Sequence, residues 1–266
     1  MAYEHILFDE ADGIATITIN RPQVMNALHI GVIEEMIDAV DRVRDEGTAR
    51  VLVLTGTGRA FCSGADLAGG GAGGGKRRSG PPDAGAVLES HFNPLLERLF
   101  ALPVPFITSV NGPAAGAGCS YALAGDIVIA GKSAYFLQAF VNIGLVPDVG
   151  STWLLPRLAG RARAQAMMML GEKIPAETAL DWGLVYKVVD DADLAAATRA
   201  VAEKLAKGPT RSYALIRQGI RECLDKPLSE GLMVERRNQL QAGRTADFVE
   251  GVSAFLQKRP AQFTGK

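Results

Sequence analysis

The chain has 266 residues, 48% of them hydrophobic and 21% charged, with a formal net charge of -1. That length allows one large domain or a domain with an appendage, each with a sizeable core. The near-neutral charge leaves no electrostatic footprint for nucleic acid or for an anionic membrane surface. Three widely spaced cysteines, Cys62, Cys119 and Cys223, argue against a disulfide framework or a zinc site and suit a reducing cytosol. No basic-then-apolar leader opens the sequence, and prolines and glycines break its longest apolar stretch, Ala101–Ala124. The expectation is a soluble, cytoplasmic protein with no membrane partner.

In chain order, Ile14–Ile19 mixes β-branched and small residues and reads as a strand. Pro22 stops it, since proline cannot donate to a ladder. Leu28, Val32, Ile33, Met36, Ile37, Val40 and Val43 recur at helical spacing, and Gly47 is placed to end that helix. Val51–Thr55 is a continuous apolar run, as expected of a strand covered on both faces. Residues 68–85 are rich in glycine with basic residues and two prolines. Such a segment cannot bury a core and reads as a flexible insertion. Its Gly70–Lys76 matches the spacing of a phosphate-binding loop, but Arg77 stands where Ser or Thr is needed and no helix follows. A helix over Val87–Leu102, a strand over Phe106–Val110, a tight small-residue turn over Asn111–Gly118, a helix over Cys119–Ala124 and a strand over Ile127–Ala130 complete an α/β pattern. Such alternation predicts a mostly parallel sheet with helical crossovers. From Arg161 onward the periodicity is helical: Arg161–Leu170, Pro175–Trp182, Asp193–Lys207, Pro209–Leu224, Leu228–Ala242 and Ala246–Gln257. The fold class is therefore α/β followed by a helical C-terminal region, with a boundary near 190–210.

Three segments carry candidate chemistry. Arg59–Leu67 and Asn111–Gly118 both follow strands, and their small residues let a ligand approach backbone N–H groups. Two such N–H groups aimed at one point form an oxyanion hole, the device thioester chemistry needs where charge grows on the carbonyl oxygen. Tight packing turns explain the same residues equally. The third segment, Ile143–Trp153, carries a single carboxylate, Asp148, in apolar surroundings. Burial raises such a pKa toward the range useful for proton transfer; an N-terminal helix cap is the competing role. His5, His29 and His91 have no metal-ligand spacing, and His91 alone follows the insertion closely enough to be considered for a pocket.

Taken together, Ile17–Pro22, Asn26–Leu28, Ala60–Leu67, Asn111-Gly112, Gly125–Ile127 and Gly183–Val185 resemble the enoyl-CoA hydratase/isomerase (crotonase) family in order and spacing. Gly144–Arg157 and the tail Gly243–Lys266 look especially like the isomerases of phenylacetyl-CoA degradation. The resemblance implies a crotonase-like spiral of repeated ββα units over 1–200 and a helical trimerisation region over 201–266. It places the two oxyanion N–H groups on Ser63 and Ala117 and the acid/base on Asp148. Ala65, Asp66, Leu67, Gly116 and Phe140 would line the acyl-CoA site, with Phe255 and Lys258 near the nucleotide end, in this family at times a neighbouring subunit's. Phe140 and Trp153 are candidates for the pocket wall and equally for plain core. Hydratases of the family use two glutamates; the matching positions here are Ser120 and Phe140, neither of which ionises to activate water.

The implied activity is isomerisation: a double-bond shift from 3-enoyl-CoA to trans-2-enoyl-CoA, or rearrangement of a ring-epoxide phenylacetyl-CoA. No cofactor is expected, coenzyme A arriving with the substrate, and the partner expected is a second and third copy in a homotrimer or hexamer. Enoyl-CoA hydration, other acyl-CoA chemistry on the same fold and a non-catalytic acyl-CoA binder remain the alternatives.

Overall fold

The computed structural model describes residues 3–67, 83 and 85–266. Its central sheet has six strands in the order β1-β2-β3-β4-β6-β9. In chain order the strands are β1 (Ile6–Ala11), β2 (Ile14–Ile19), β3 (Val51–Gly56), β4 (Phe106–Val110), β5 (Ala114–Ala115), β6 (Ile127–Gly131), β7 (Tyr135–Leu137), β8 (Ile174–Pro175) and β9 (Lys187–Val189). Only the β1–β2 pair of the large sheet is antiparallel; the other neighbours run parallel. β1 lies outside the sequence expectations. Its connection to β2 is a two-residue turn, Asp12-Gly13, with φ of 55° and 75° at the two residues. That is the left-handed pair a tight hairpin requires.

The helices are α1 (Ile30–Glu46), α2 (Gly85–Val87), α3 (Asn93–Ala101), α4 (Ala117–Leu123), α5 (Ser151–Ala159), α6 (Arg161–Leu170), α7 (Ala176–Asp181), α8 (Leu194–Ala206), α9 (Thr210–Cys223), α10 (Leu228–Ala242) and α11 (Ala246–Leu256). Gly47 closes α1 in the left-handed conformation, φ 66°, where glycine has no Cβ to clash. The single helix expected over Val87–Leu102 is instead interrupted by a π turn at Leu88–Phe92.

β3 explains why its sequence is apolar throughout. Leu52 and Leu54 join the main core with Val32, Met36, Leu95 and Tyr121. Val51 and Val53 face the other way, into a second cluster with Ile107, Ile129, Leu194 and Ala202. Strand side chains alternate, so one run serves both cores. α8 covers that second face and runs across residue 200. α9 is tied to the body by Arg217, whose guanidinium donates to the carbonyls of Leu99 and Leu102 and pairs with Asp126 at 2.5 Å.

The second sheet, β5-β7-β8, positions the site. β4 leads into β5 and then α4; β6 leads into β7. After β3 the chain repeats the step in miniature, with Cys62 bridging to Ala114 in parallel. Each turn of the spiral thus places a short second strand beside the previous one, and the loops Ser63–Leu67, Gly116-Ala117 and Phe140–Asp148 come together there.

Candidate active site

A cavity of about 390 Å³ lies where these loops meet. Ser63, Ala65, Leu67, Gly116, Ala117, Phe140 and Asp148 all border it, with Leu88, Phe92, Ile143, Leu145 and Val146 supplying apolar wall. At the rim Leu67, Ile143 and Val146 are 59%, 54% and 78% exposed, an apolar surface that the described residues leave largely uncovered.

The first loop is braced from the N-terminal side. Met25 and Asn26 stand in the left-handed conformation, φ 55° and 57°. The fully buried Asn26 donates to the carbonyls of Thr57 and Ala60 at 3.0 and 2.7 Å and accepts from the Arg21 N–H at 2.9 Å. Arg21 in turn donates to the Ala27 carbonyl and to the Asp66 carboxylate at 3.1 Å. The Asp66 side chain is thus engaged in holding the loop and is not among the cavity-lining residues.

The expectation for Ser63 needs correcting. Its N–H donates to the Met25 carbonyl at 2.9 Å and is committed to the fold. Two residues on, Leu28 pairs with Ala65 as an isolated parallel bridge. The Leu28 N–H bonds the Gly64 carbonyl and the Asp66 N–H bonds the Leu28 carbonyl, each at 2.8 Å. In an extended segment successive N–H groups alternate sides, so the intervening Ala65 N–H turns away from Leu28, and Ala65 borders the cavity. No acceptor takes that N–H among the described residues.

The second loop is shaped by Gly116. Gly116 has φ 52° and ψ -130°, a conformation essentially open to glycine alone. It turns the chain from β5 so that Ala117 becomes the first residue of α4. A first-turn N–H has no intrahelical carbonyl to bond, and no other acceptor is present among the described residues. Glycine is also required at 118: a Cβ there would sit 2.5 Å from the Cys62 carbonyl oxygen and 2.7 Å from the Cys62 Cβ. This close approach is what brings the two N–H-bearing loops together.

Asp148 is the only carboxylate among the described residues lining the cavity. Its Oδ1 is buried and has no hydrogen-bond partner. Burial alone pushes its pKa up to about 7, because the charged form is poorly solvated among apolar neighbours. It does not cap α5: the residue before that helix is Gly150, and no side chain caps it. The side chain is free for other work, and only its main-chain carbonyl is engaged, by the Ser151 N–H at 3.0 Å and the Ser120 hydroxyl at 3.2 Å. Val149 follows in a strained left-handed conformation, φ 47°.

Some expected residues lie elsewhere. Trp153 stacks edge-on with Phe100 and under Arg157 and borders a different depression; α5 turns it away from the cavity that Asp148 enters. His91 contacts Ser90 at 2.7 Å and lies 3.6 Å from Glu34, outside the cavity lining. Phe255 is 81% exposed on α11, in a surface depression shared with Phe248 and Phe263. Neither it nor the exposed Lys258 borders the cavity. Ser120, 1% exposed, lies beneath the cavity and not on its wall. The glycine-rich stretch and its phosphate-loop spacing lie outside the described residues, apart from Asp83 and Gly85.

A spiral of strand–strand–helix units thus brings two N–H groups without an acceptor among the described residues, and a carboxyl with a buried, unpartnered oxygen, to the border of one cavity. Residues 9–266 match the family model described as Enoyl-CoA hydratase/isomerase, and the chain belongs to that family. It is 47% identical, over 99% of both chains, to the 1,2-epoxyphenylacetyl-CoA isomerase of Escherichia coli (strain K12). It is 46% identical over the full length of both chains to a Rhodobacter capsulatus protein described as "Probable enoyl-CoA hydratase". Among solved structures, an enoyl-CoA hydratase from Bacillus anthracis superposes with a TM-score of 0.92 at 31% identity, covering 99% of this chain and 100% of that one. The fold is accordingly the crotonase fold with its helical C-terminal region. Among the described residues no group of three His, Cys, Asp or Glu is placed to hold a metal, and no helix is long and apolar enough to cross a membrane.

Proposed function

We propose that this protein is an acyl-CoA isomerase in which Asp148 carries the proton and the N–H groups of Ala65 and Ala117 hold the thioester oxygen. One observation carries the reading: the cavity's only described carboxyl is half-buried, with a buried, unpartnered Oδ1, and is raised to about 7. A carboxyl in that state abstracts and returns a proton near neutral pH with little free-energy difference between its forms. In the proposed step, the C2 proton of a 3-enoyl thioester moves to Asp148 while charge flows onto the carbonyl oxygen. The resulting dienolate is stabilised by the two N–H groups. Asp148 then returns the proton at C4, giving the trans-2-enoyl thioester. No water or net proton is consumed, so one carboxyl suffices, and the chemistry calls for no cofactor beyond the coenzyme A of the substrate. Ala65, Leu67, Gly116 and Phe140 would border the acyl-thioester. Asp66 would act indirectly, by holding the Ala65 loop through Arg21.

The E. coli relative's name favours a second substrate, the ring epoxide of phenylacetyl-CoA. The same acid/base and oxyanion groups would serve its rearrangement. Hydration is supported by the R. capsulatus relative. Against it stands the cavity lining, which offers no second carboxyl among the described residues.

Assembly into a trimer or hexamer through residues 201–266 accords with the exposed Ile220, Leu228, Met233, Val249, Phe255 and Leu256 of α9–α11, large apolar side chains that an interface would cover. In such an assembly Phe255 and Lys258 would reach a neighbouring protomer's nucleotide end. Cytoplasmic residence is part of the same reading.

The function is tested by incubating purified protein with cis-3-hexenoyl-CoA and, separately, trans-2-hexenoyl-CoA and identifying products by chromatography. The 3-enoyl thioester should yield the 2-enoyl thioester without 3-hydroxy product. Rapid formation of 3-hydroxyhexanoyl-CoA would return the protein to the hydratases.

A further inference from the structure

Three buried polar side chains lie directly beneath the Asp148 turn. Ser120, Gln138 and Ser151 are 1%, 0% and 0% exposed. They form a chain: Gln138 Nε2 lies 3.1 Å from Ser151 Oγ, Ser151 Oγ 2.6 Å from Ser120 Oγ, and Ser120 Oγ 3.2 Å from the main-chain oxygen of Asp148. Its direction is set by chemistry. The amide N–H at one end only donates and the carbonyl at the other only accepts, so the donations run Gln138 to Ser151 to Ser120 to Asp148. The Ser120 oxygen also lies 3.4 Å from the carbonyl of Gly116, the residue that presents the Ala117 N–H. A single hydroxyl therefore touches both the turn bearing the oxyanion donor and the turn bearing the carboxyl.

The Asp148 turn needs such support. Val149, β-branched and 2% exposed, is held at φ 47°, a conformation that survives only where its surroundings over-determine it. Neither serine borders the cavity, so neither can touch a substrate bound there, and any effect on the reaction must pass through the Asp148 turn or the Gly116 turn; the Asp148→Asn background separates the two.

We propose that Ser120, supported through Ser151 by Gln138, is the positioning residue that fixes the Asp148 carboxyl relative to the Ala117 N–H. This rests on the reading of Asp148 as proton carrier. Without the Ser120 hydroxyl the Asp148 carbonyl keeps one donor of two, the strained turn relaxes and the carboxyl moves. A displacement of about 1 Å in a reacting group costs on the order of 10²-fold in rate.

The test compares wild type, Ser120→Ala, Ser151→Ala, Asp148→Asn and Ser120→Ala/Asp148→Asn in steady-state kinetics on cis-3-hexenoyl-CoA, with thermal melts alongside. Ser120→Ala should lower kcat by about 10- to 100-fold and leave KM within about twofold. Ser151→Ala, which leaves the Ser120–Asp148 bond in place, should lose less, and it carries the test if Ser120→Ala does not fold. The Ser120→Ala loss should vanish from the residual rate in the Asp148→Asn background, as for groups acting as a unit. Unchanged kcat in both serine variants, or an equal loss with and without Asp148, would overturn the positioning role alone. Full activity in Asp148→Asn would overturn the proton-carrier reading and this role with it.

Discussion

Replacing Asp148 with asparagine removes a charge that the folded protein has to bear without a partner. Its carboxyl is raised from 3.8 to about 7 by burial. At about 1.36 kcal/mol per pKa unit, that difference disfavours the charged folded form by on the order of 4 kcal/mol. The cavity is open on one side, and solvent entering there reduces the cost; roughly half, about 2 kcal/mol, is the expected net effect. The sign follows from a folded pKa above the unfolded one. Below about pH 4 the carboxyl is neutral in both states and costs nothing. As pH rises toward 7 the unfolded chain ionises while the folded protein resists, and stability falls; above 7 the loss is constant. Asp148→Asn should therefore melt with wild type at pH 4 and above it at pH 8.5, by roughly 4–8 °C for a chain of this size. Thermal unfolding followed by circular dichroism from pH 4 to 9 makes the measurement. An asparagine variant less stable than wild type at pH 8.5 would refute the reasoning, because it would mean that Asp148 has a stabilising partner.

Catalysis by the same group predicts the opposite pH trend. kcat/KM for the 3-enoyl substrate should rise tenfold per pH unit below about 7 and level off above it, because only the ionised carboxyl abstracts a proton; a flat profile between pH 5 and 8 would exclude Asp148 as the base. Ala117→Pro removes an N–H at the first position of α4, where proline is tolerated, and should lower kcat by about 10²–10³-fold in a protein that still folds. Gly118→Ala forces a methyl against Cys62, whose carbonyl and Cβ lie 2.5 and 2.7 Å from its position; a loss of more than about 2 kcal/mol by denaturant titration is expected.

Much of the fold was legible because its signals are local. The buried strand Val51–Gly56 and the glycine-ended α1 follow from run length and periodicity. β1 was equally legible in principle: Ile6–Ala11 leads into the Asp12-Gly13 turn, a strong hairpin signal. The π turn at Leu88–Phe92 leaves the apolar spacing nearly unchanged and so has no such mark. At the site, Asp148 stood out as one carboxylate in an apolar stretch. The choice between Ser63 and Ala65 was not readable. Both lie in a run of small residues, and which N–H faces inward is decided by the bridge from Leu28, far away in sequence. The Gln138–Ser151–Ser120 chain was hidden for the same reason, its members being joined only by the packing of β7, α4 and α5. The choice between pocket wall and packing residue for Trp153 is likewise not readable, because its position in sequence after Asp148 does not reveal that α5 turns it onto Phe100.

The most direct test of the proton-carrier role follows the proton itself. 3-Hexenoyl-CoA carrying deuterium at C2 would be converted by wild type and by Asp148→Asn, with single-turnover products analysed by mass spectrometry. A single carboxyl serving both carbons predicts 2-hexenoyl-CoA retaining deuterium at C4 from wild type and no appreciable product from the variant. Conversion by Asp148→Asn at the wild-type rate, with the same label at C4, would contradict the account.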